Sequence, residues 1–156
     1  LSGDVQSQVR SIINGVILKS VESVVESENF KKAFHKDLEV VVNNVVYSYP
    51  AMYPEERRKE NGGLTDISNI KIESSIIGDI VNVKIDNNTT GAYAGSGRFV
   101  SDVVTTGVGY NWNLPNGTHS MSPRNFMEKV NESDDFKSRF IELLRIELNK
   151  YGIDLT

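Results

Sequence analysis

The stretch Ile70–Asp86, IKIESSIIGDIVNVKID, decides the fold class. Ile70, Ile72, Ser74 and Ile76 alternate with Lys71, Glu73 and Ser75. After Gly78-Asp79, Val81, Val83 and Ile85 alternate with Asn82, Lys84 and Asp86. A period of two is that of a strand with one buried face. Glycine at the first place of a two-residue loop suits a type II′ turn, whose twist matches that of the strands it joins. Closing the loop there pairs Ile77 with Ile80, Ile76 with Val81, Ser74 with Val83 and Ile72 with Ile85. Apolar partners then share a face, so turn and pattern demand one register. The expectation is a hairpin in which Ile72, Ile76, Val81, Val83 and Ile85 face one buried side.

Upstream, the period changes to that of a helix. Val5, Val9, Ile12, Ile13, Val16, Ile17, Val21, Val24 and Val25 form a broad stripe over about residues 4–26. Most are β-branched, so intrinsic helix propensity is modest and the helix needs packing to persist. A second helix is predicted over about 28–46, with Phe30, Phe34, Leu38, Val41, Val42, Val45 and Val46 as its apolar face. A break near Ser27 or Asn29 separates the two, with one continuous helix as the alternative. Pro50 and Pro54 end helical structure by removing donors and constraining their neighbours. The segment 50–69 reads as a polar loop turned by Gly62 and Gly63.

Downstream, NNTTGAYAGSG (87–97) is a loop by composition. The region 99–121 is mixed. It is read as a short helix from Ser101, a strand near Tyr110–Trp112 and a loop over 113–120. Ser122-Pro123 is expected to start a helix over about 123–130, since Ser caps well and Pro is tolerated at the first helical position. A last helix is predicted from Asp134 to Tyr151, with a stripe of Phe136, Phe140, Leu143, Leu144, Leu148 and Tyr151, and with Gly152 as the residue that ends it. The sum is a single α+β domain over 1–156: a small antiparallel sheet with a central β-hairpin, packed by N-terminal and C-terminal helices.

The composition excludes several functions. The 156 residues are 38% hydrophobic and 24% charged, as in a folded domain rather than a disordered one. Net charge is −4, which lacks the basic face that tight nucleic-acid binding or a polybasic membrane contact requires. There is no cysteine, so disulfides, thiolate metal sites and cysteine nucleophiles are excluded. Apolar runs such as Val40–Val42 fall far short of the roughly 20 residues of a membrane span. The opening LSGDVQSQVR lacks a signal pattern, and its initial Leu suggests a trimmed or non-AUG start. The Asn-x-Ser/Thr matches at Asn87, Asn88, Asn116 and Asn131 are read as ordinary polar sequence, not as glycosylation sites.

Catalytic constellations are sparse. His35 is read as lying on a solvated helix face and His119 in a loop; neither has a second histidine at metal-ligand spacing. Gly91, Gly95 and Gly97 are followed by Arg98-Phe99, not by the Lys-Ser/Thr that a phosphate loop needs. Glu55-Glu56 and Asp134-Asp135 are adjacent pairs, but acid–base work needs a cleft that perturbs them. Arg57 and Arg58 with Lys59 form the one compact basic run, offset by Glu55, Glu56 and Glu60. Tyr110 and Trp112 are aromatic candidates for an interface, since such residues anchor contacts, with core packing as the other reading. Val9 and Ile13 are the candidates on the first helix.

Two stretches together resemble a known family. VVYSYPAMYPEERRKENGGLTDISNIKI (Val45–Ile72) is similar to a segment of tailed-phage structural proteins, with a Tyr-containing turn before Arg-Arg and Gly-Leu. GYNWNLPNGTHSMSPRNFMEKV (Gly109–Val130) and the helix to Tyr151 resemble the C-terminal part of the head–tail joining, tail-completion (minor tail) family. There an aromatic segment and a Pro-Arg-x-Phe-like motif, here Pro123, Arg124 and Phe126, lead into the last helix. The resemblance implies a virion structural protein made in the bacterial cytoplasm, with Arg124 and Phe126 added to the contact residues. It implies a homo-oligomeric ring of about six or twelve copies between portal or adaptor and tail tube. Partners would be other neck and tail proteins, with non-specific contact to DNA in the lumen; no cofactor, membrane or catalytic step is expected. A tail-terminator or adaptor ring of the same neck is the alternative. From a different class, a small-ligand or nucleic-acid-binding module would rest on the basic run and the glycine loop.

Overall fold

Ser27 ends one helix and starts the next. The computed structural model describes residues 2–48, 61–90, 99–107, 111–114, 117–120 and 123–155. Helix α1 spans Ser2–Glu26 and α2 spans Glu28–Val42. Between them Ser27 is extended (φ −74°, ψ 147°), and its Oγ accepts from Phe30 N at 3.1 Å and donates to Val24 O at 2.6 Å. That N-cap satisfies an orphan amide at the start of α2 and separates the helices. The continuous-helix alternative is therefore not adopted.

Helix α2 carries the core. Phe30, Phe34, Leu38, Val42 and Val46 recur every four residues, and all are buried. A strict four-residue step drifts around an α-helix of 3.6 residues per turn. A π-helical turn, Asn43–Tyr47, follows α2. Its wider winding takes back part of the drift and keeps Val46 in the row. Phe136 packs edge-on against Phe34 (centroids 5.4 Å apart, 81°) and lies 5.5 Å from Phe30. Val24, Val25, Leu64, Ile70, Val104, Phe126 and Val130 complete the cluster. Asp37 is buried within the same face, where Arg139 holds it.

Strands β1 (Ile70–Ile77) and β2 (Ile80–Asn87) form the expected hairpin, antiparallel, with Ile72 opposite Ile85, Ser74 opposite Val83 and Ile77 opposite Ile80. Gly78 has φ +61°, as the turn requires. Ile72 and Ile85 pack on the core. The expectation of a wholly buried face fails toward the tip, where Ile76 and Val83 are exposed. The physical reason is a short cover. Ser74 Oγ donates to Glu26 Oε1 at 2.9 Å near the base, but the turn residue Asp79 sits in a depression with Ser7, Arg10, Ser11, Asn14, Gly15 and Leu18 of α1, a mostly polar side.

Two loops prove to be structural at their described ends. Asn87 Nδ2 donates to Leu64 O (2.8 Å), Thr89 Oγ1 to Gly63 O (3.0 Å) and Asn69 Nδ2 to Gly63 O (3.0 Å). Gly63, Leu64, Thr65, Asn87 and Thr89 are buried. The sequence reads 50–69 and 87–97 as polar loops, yet within them 63–65, 87 and 89 are buried in the chain's own fold. Residues 54–60 and 91–97 lie outside the described residues. Asn87, one of the four glycosylation matches, has its amide inside this junction.

Asp66 organises the turn before β1. Its carboxylate accepts from Ser68 Oγ at 2.6 Å, Gly62 N at 2.7 Å and Ser68 N at 2.9 Å. The Ser68 hydroxyl first, then the two amides, hold its pKa below the ordinary 3.8. A depressed pKa stabilises the fold fully above the ordinary value, and that contribution is lost as pH falls through the folded value. Asp66→Asn should therefore lose stability less steeply than the parent between roughly pH 5 and pH 3. Urea midpoints measured across that range test this; parallel curves would count against it.

The C-terminal part holds α3 (Val100–Thr106), a second hairpin of β3 (Asn111–Leu114) and β4 (Gly117–Ser120), α4 (Phe126–Glu132) and α5 (Asp134–Asn149). The expected loop over 113–120 is corrected: Leu114 pairs with Gly117 and Trp112 with His119, which puts His119 in a strand. The strand expected near Tyr110–Trp112 is met by β3; polar side chains hid β4, because backbone pairing needs no apolar alternation. The start of α4 is also corrected. Its N-cap is Asn125, whose side chain accepts from Glu128 N and bonds the Glu128 carboxylate, a reciprocal cap. Pro123 and Arg124 precede the helix, and Arg124 N instead donates to Val104 O at 2.9 Å. Helix α5 is capped by Ser133 and ends as expected: Gly152 has φ +71°, with Ile153 N bonding Leu148 O and Gly152 N bonding Asn149 O.

Ser20 on α1 is buried, and its hydroxyl has no hydrogen-bond partner among the described residues. A buried, unsatisfied polar group costs free energy that a methyl group does not. Ser20→Ala should raise stability by about 1 kcal/mol, read as a higher urea midpoint. A drop would mean that the hydroxyl is used in solution.

Candidate functional site

The first half of α1 presents apolar side chains that no described residue covers. Val5 is 60% exposed, Val9 48%, Ile12 67% and Ile13 43%, whereas Val24 and Val25 on the same helix are buried. The difference follows from what lies alongside. The C-terminal half of α1 is held by Ser23 Oγ to Glu147 Oε1 (3.4 Å) and by the Glu26–Ser74 contact. The N-terminal half has the hairpin turn beside it, on the side of Ser7, Ser11 and Leu18. At 100° per residue, Val5, Val9 and Ile12 fall on the opposite side of the helix.

The hairpin contributes a second apolar patch. Strand alternation puts Lys71, Glu73, Ser75 and Ile77 with Ile80, Asn82, Lys84 and Asp86 on the face turned away from the core. Its base is charged: Lys71 Nζ lies 2.7 Å from Glu73 and Lys84 Nζ 2.6 Å from Asp86. The hydrogen bond from Lys71 holds the Glu73 carboxyl below its usual range, and the bond to Asp86 raises Lys84. Its tip is apolar, with Ile77 69% and Ile80 64% exposed. Exposed apolar area gathered at one place, rather than scattered singly, marks a contact surface.

The expected contact residues separate on this structure. Val9 and Ile13 are on the exposed stripe of α1. Phe126 is fully buried inside the subunit, so it is a core residue and offers no outer surface. Arg124 is half-buried, and its guanidinium donates to Val46 O at 3.3 Å, meeting a carbonyl that the π turn leaves open. Trp112 lies in β3 opposite His119. Arg57, Arg58 and Tyr110 lie outside the described residues, as do Gly91, Gly95 and Gly97. Ile12, Ile77 and Ile80 were not foreseen as surface residues. The available signal was length: the apolar stripe of α1 runs further than one hairpin and one helix can cover.

His35 is not on a solvated face. It is half-buried, and its Nε2 lies 2.7 Å from Thr65 O and 3.8 Å from Glu39 Oε1, which ties α2 to the junction before β1. Among the described residues no group of three His, Asp or Glu side chains is placed to hold a metal ion. No helix among them is long and apolar enough to cross a membrane.

These features define a small α+β domain with exposed apolar patches on α1 and the hairpin tip. The chain belongs to the YomN family, whose model matches residues 7–150, from within α1 to the end of α5. The family name is phage-derived, which makes this a phage-type protein. No curated protein and no solved structure matches the chain.

Proposed function

We propose that the chain is a structural subunit of the phage particle, working in the head–tail connector as a tail-completion protein. In this reading it forms a homo-oligomeric ring between the portal or adaptor and the tail tube, acts by assembly and carries out no catalytic step. The observation that supports it is the uncovered stripe Val5, Val9, Ile12 and Ile13 on a helix whose other half is well packed. A β-branched helix left bare in water is the kind of element a neighbouring subunit stabilises. Membership of a phage-derived family agrees with that use.

Native mass spectrometry of the purified chain, with immunogold labelling of particles, tests the proposal. A closed oligomer and label at the neck are expected. A chain that stays monomeric with head and tail proteins present, and is absent from virions, overturns it.

A further inference from the structure

We infer that the two apolar patches are the two halves of one contact, so that the α1 stripe of one copy receives the hairpin tip of the next. This rests on the ring reading above. The argument begins with direction. Val5, Val9 and Ile12 point away from the side of α1 that meets the hairpin turn. Ile77 and Ile80 point away from the side of the hairpin that packs on the core and on α1. The patches therefore look in opposite directions across the α1–hairpin layer. Neither can satisfy the other within one chain, but copies stacked head to tail bring them together.

Such a contact joins two different surfaces, and its repetition closes a circle or grows a filament. Pairing α1 with α1 would instead give an isolated two-fold dimer and leave Ile77 and Ile80 bare. Charge does not choose between the two: Arg10 and Asp79 line one depression within the chain, on the side of α1 away from the stripe, so the choice rests on which patches each pairing covers. Size sets the expected behaviour. From their fractional exposures, the four α1 side chains and two tip side chains offer on the order of 600 Å² together, about half the roughly 1,200 Å² at the low end of stable interfaces. A single contact is therefore weak. Closure, in which every subunit makes two contacts, is what makes the assembly persist.

The chain has no cysteine, so engineered thiols report contacts without background. Ile12→Cys and Ile80→Cys are made separately on the full chain, and circular dichroism checks that each folds; both positions are exposed. Under mild oxidation at concentrations where the wild type assembles, a mixture of the two variants should give a covalent dimer that neither gives alone. Ile80→Asp should raise the concentration needed for assembly by about tenfold. Self-crosslinking of Ile12→Cys, or wild-type rings whose mixed variants do not crosslink, overturns this contact while leaving the ring reading in place. A wild type that never assembles, with or without head and tail proteins, removes both.

Discussion

Phe34→Ala is expected to cost about 3–5 kcal/mol of folding free energy. Phe34 is fully buried at the middle of α2 and meets Phe136 of α5 edge to face. Removing the ring loses its transfer energy and leaves a cavity between two helices that are pinned elsewhere. The Ser27 cap fixes the start of α2, and the Asp37–Arg139 pair ties it to α5, so the gap cannot close freely. Edge-to-face geometry adds about 0.5–1.5 kcal/mol beyond area. A fall in urea midpoint of that size, with unchanged helical circular dichroism, is the predicted result. A loss below 1 kcal/mol would mean that the site collapses without strain. Phe34→Leu, which keeps most of the volume, should recover the larger part.

Arg139→Ala should be nearly as damaging, and more so than Asp37→Ala. The pair joins residues on α2 and α5, with the Asp37 side chain 6% exposed and the Arg139 side chain 32%. Removing the arginine leaves a buried carboxylate without its counter-charge, a loss of about 3 kcal/mol. Removing the aspartate leaves a guanidinium that water can reach, at about 1–2 kcal/mol. Chemical denaturation of both single variants reads the inequality directly. Equal losses would mean that Asp37 is better solvated than its burial implies.

How much was readable beforehand depends on how local the cause is. The first hairpin was legible because two independent constraints met: period-two alternation and Gly78-Asp79 at the only spacing that aligns it. The helix break at Ser27 and the stop at Gly152 were legible for the same reason, since caps act within a few residues. The second hairpin was half legible: the strand expected near Tyr110–Trp112 is met by β3, whereas β4, Gly117–Ser120, carries no apolar alternation for a reader to find. Ser122-Pro123 looked like a helix start, but Asn125 had the Glu128 partner that completes a cap. Arg139 and Asp37 are 102 residues apart, and nothing in either neighbourhood announces the other. The candidate surface was half readable. Val9 and Ile13 were drawn from the α1 stripe, yet the stripe alone cannot tell a covered half from a bare one. That distinction depends on where α5 and the hairpin stop.

Ser27 has a mechanical meaning as well as a capping one. Helix α1 has 25 residues and is therefore about 37 Å long. Its C-terminal half is held in the core by Val24 and Val25, and one extended residue joins it to α2. A turn of roughly 10° there displaces the far end of such an arm by about 6 Å, more than the 5.4 Å pitch of a helix. The arm's aim is set by the Ser27 hydroxyl, by the Ser23 and Glu26 side contacts and by the hairpin turn that lies beside Ser7, Ser11 and Leu18. Small changes among those residues would steer the distant tip like a tiller, redirecting the bare stripe of Val5, Val9 and Ile12 without altering it.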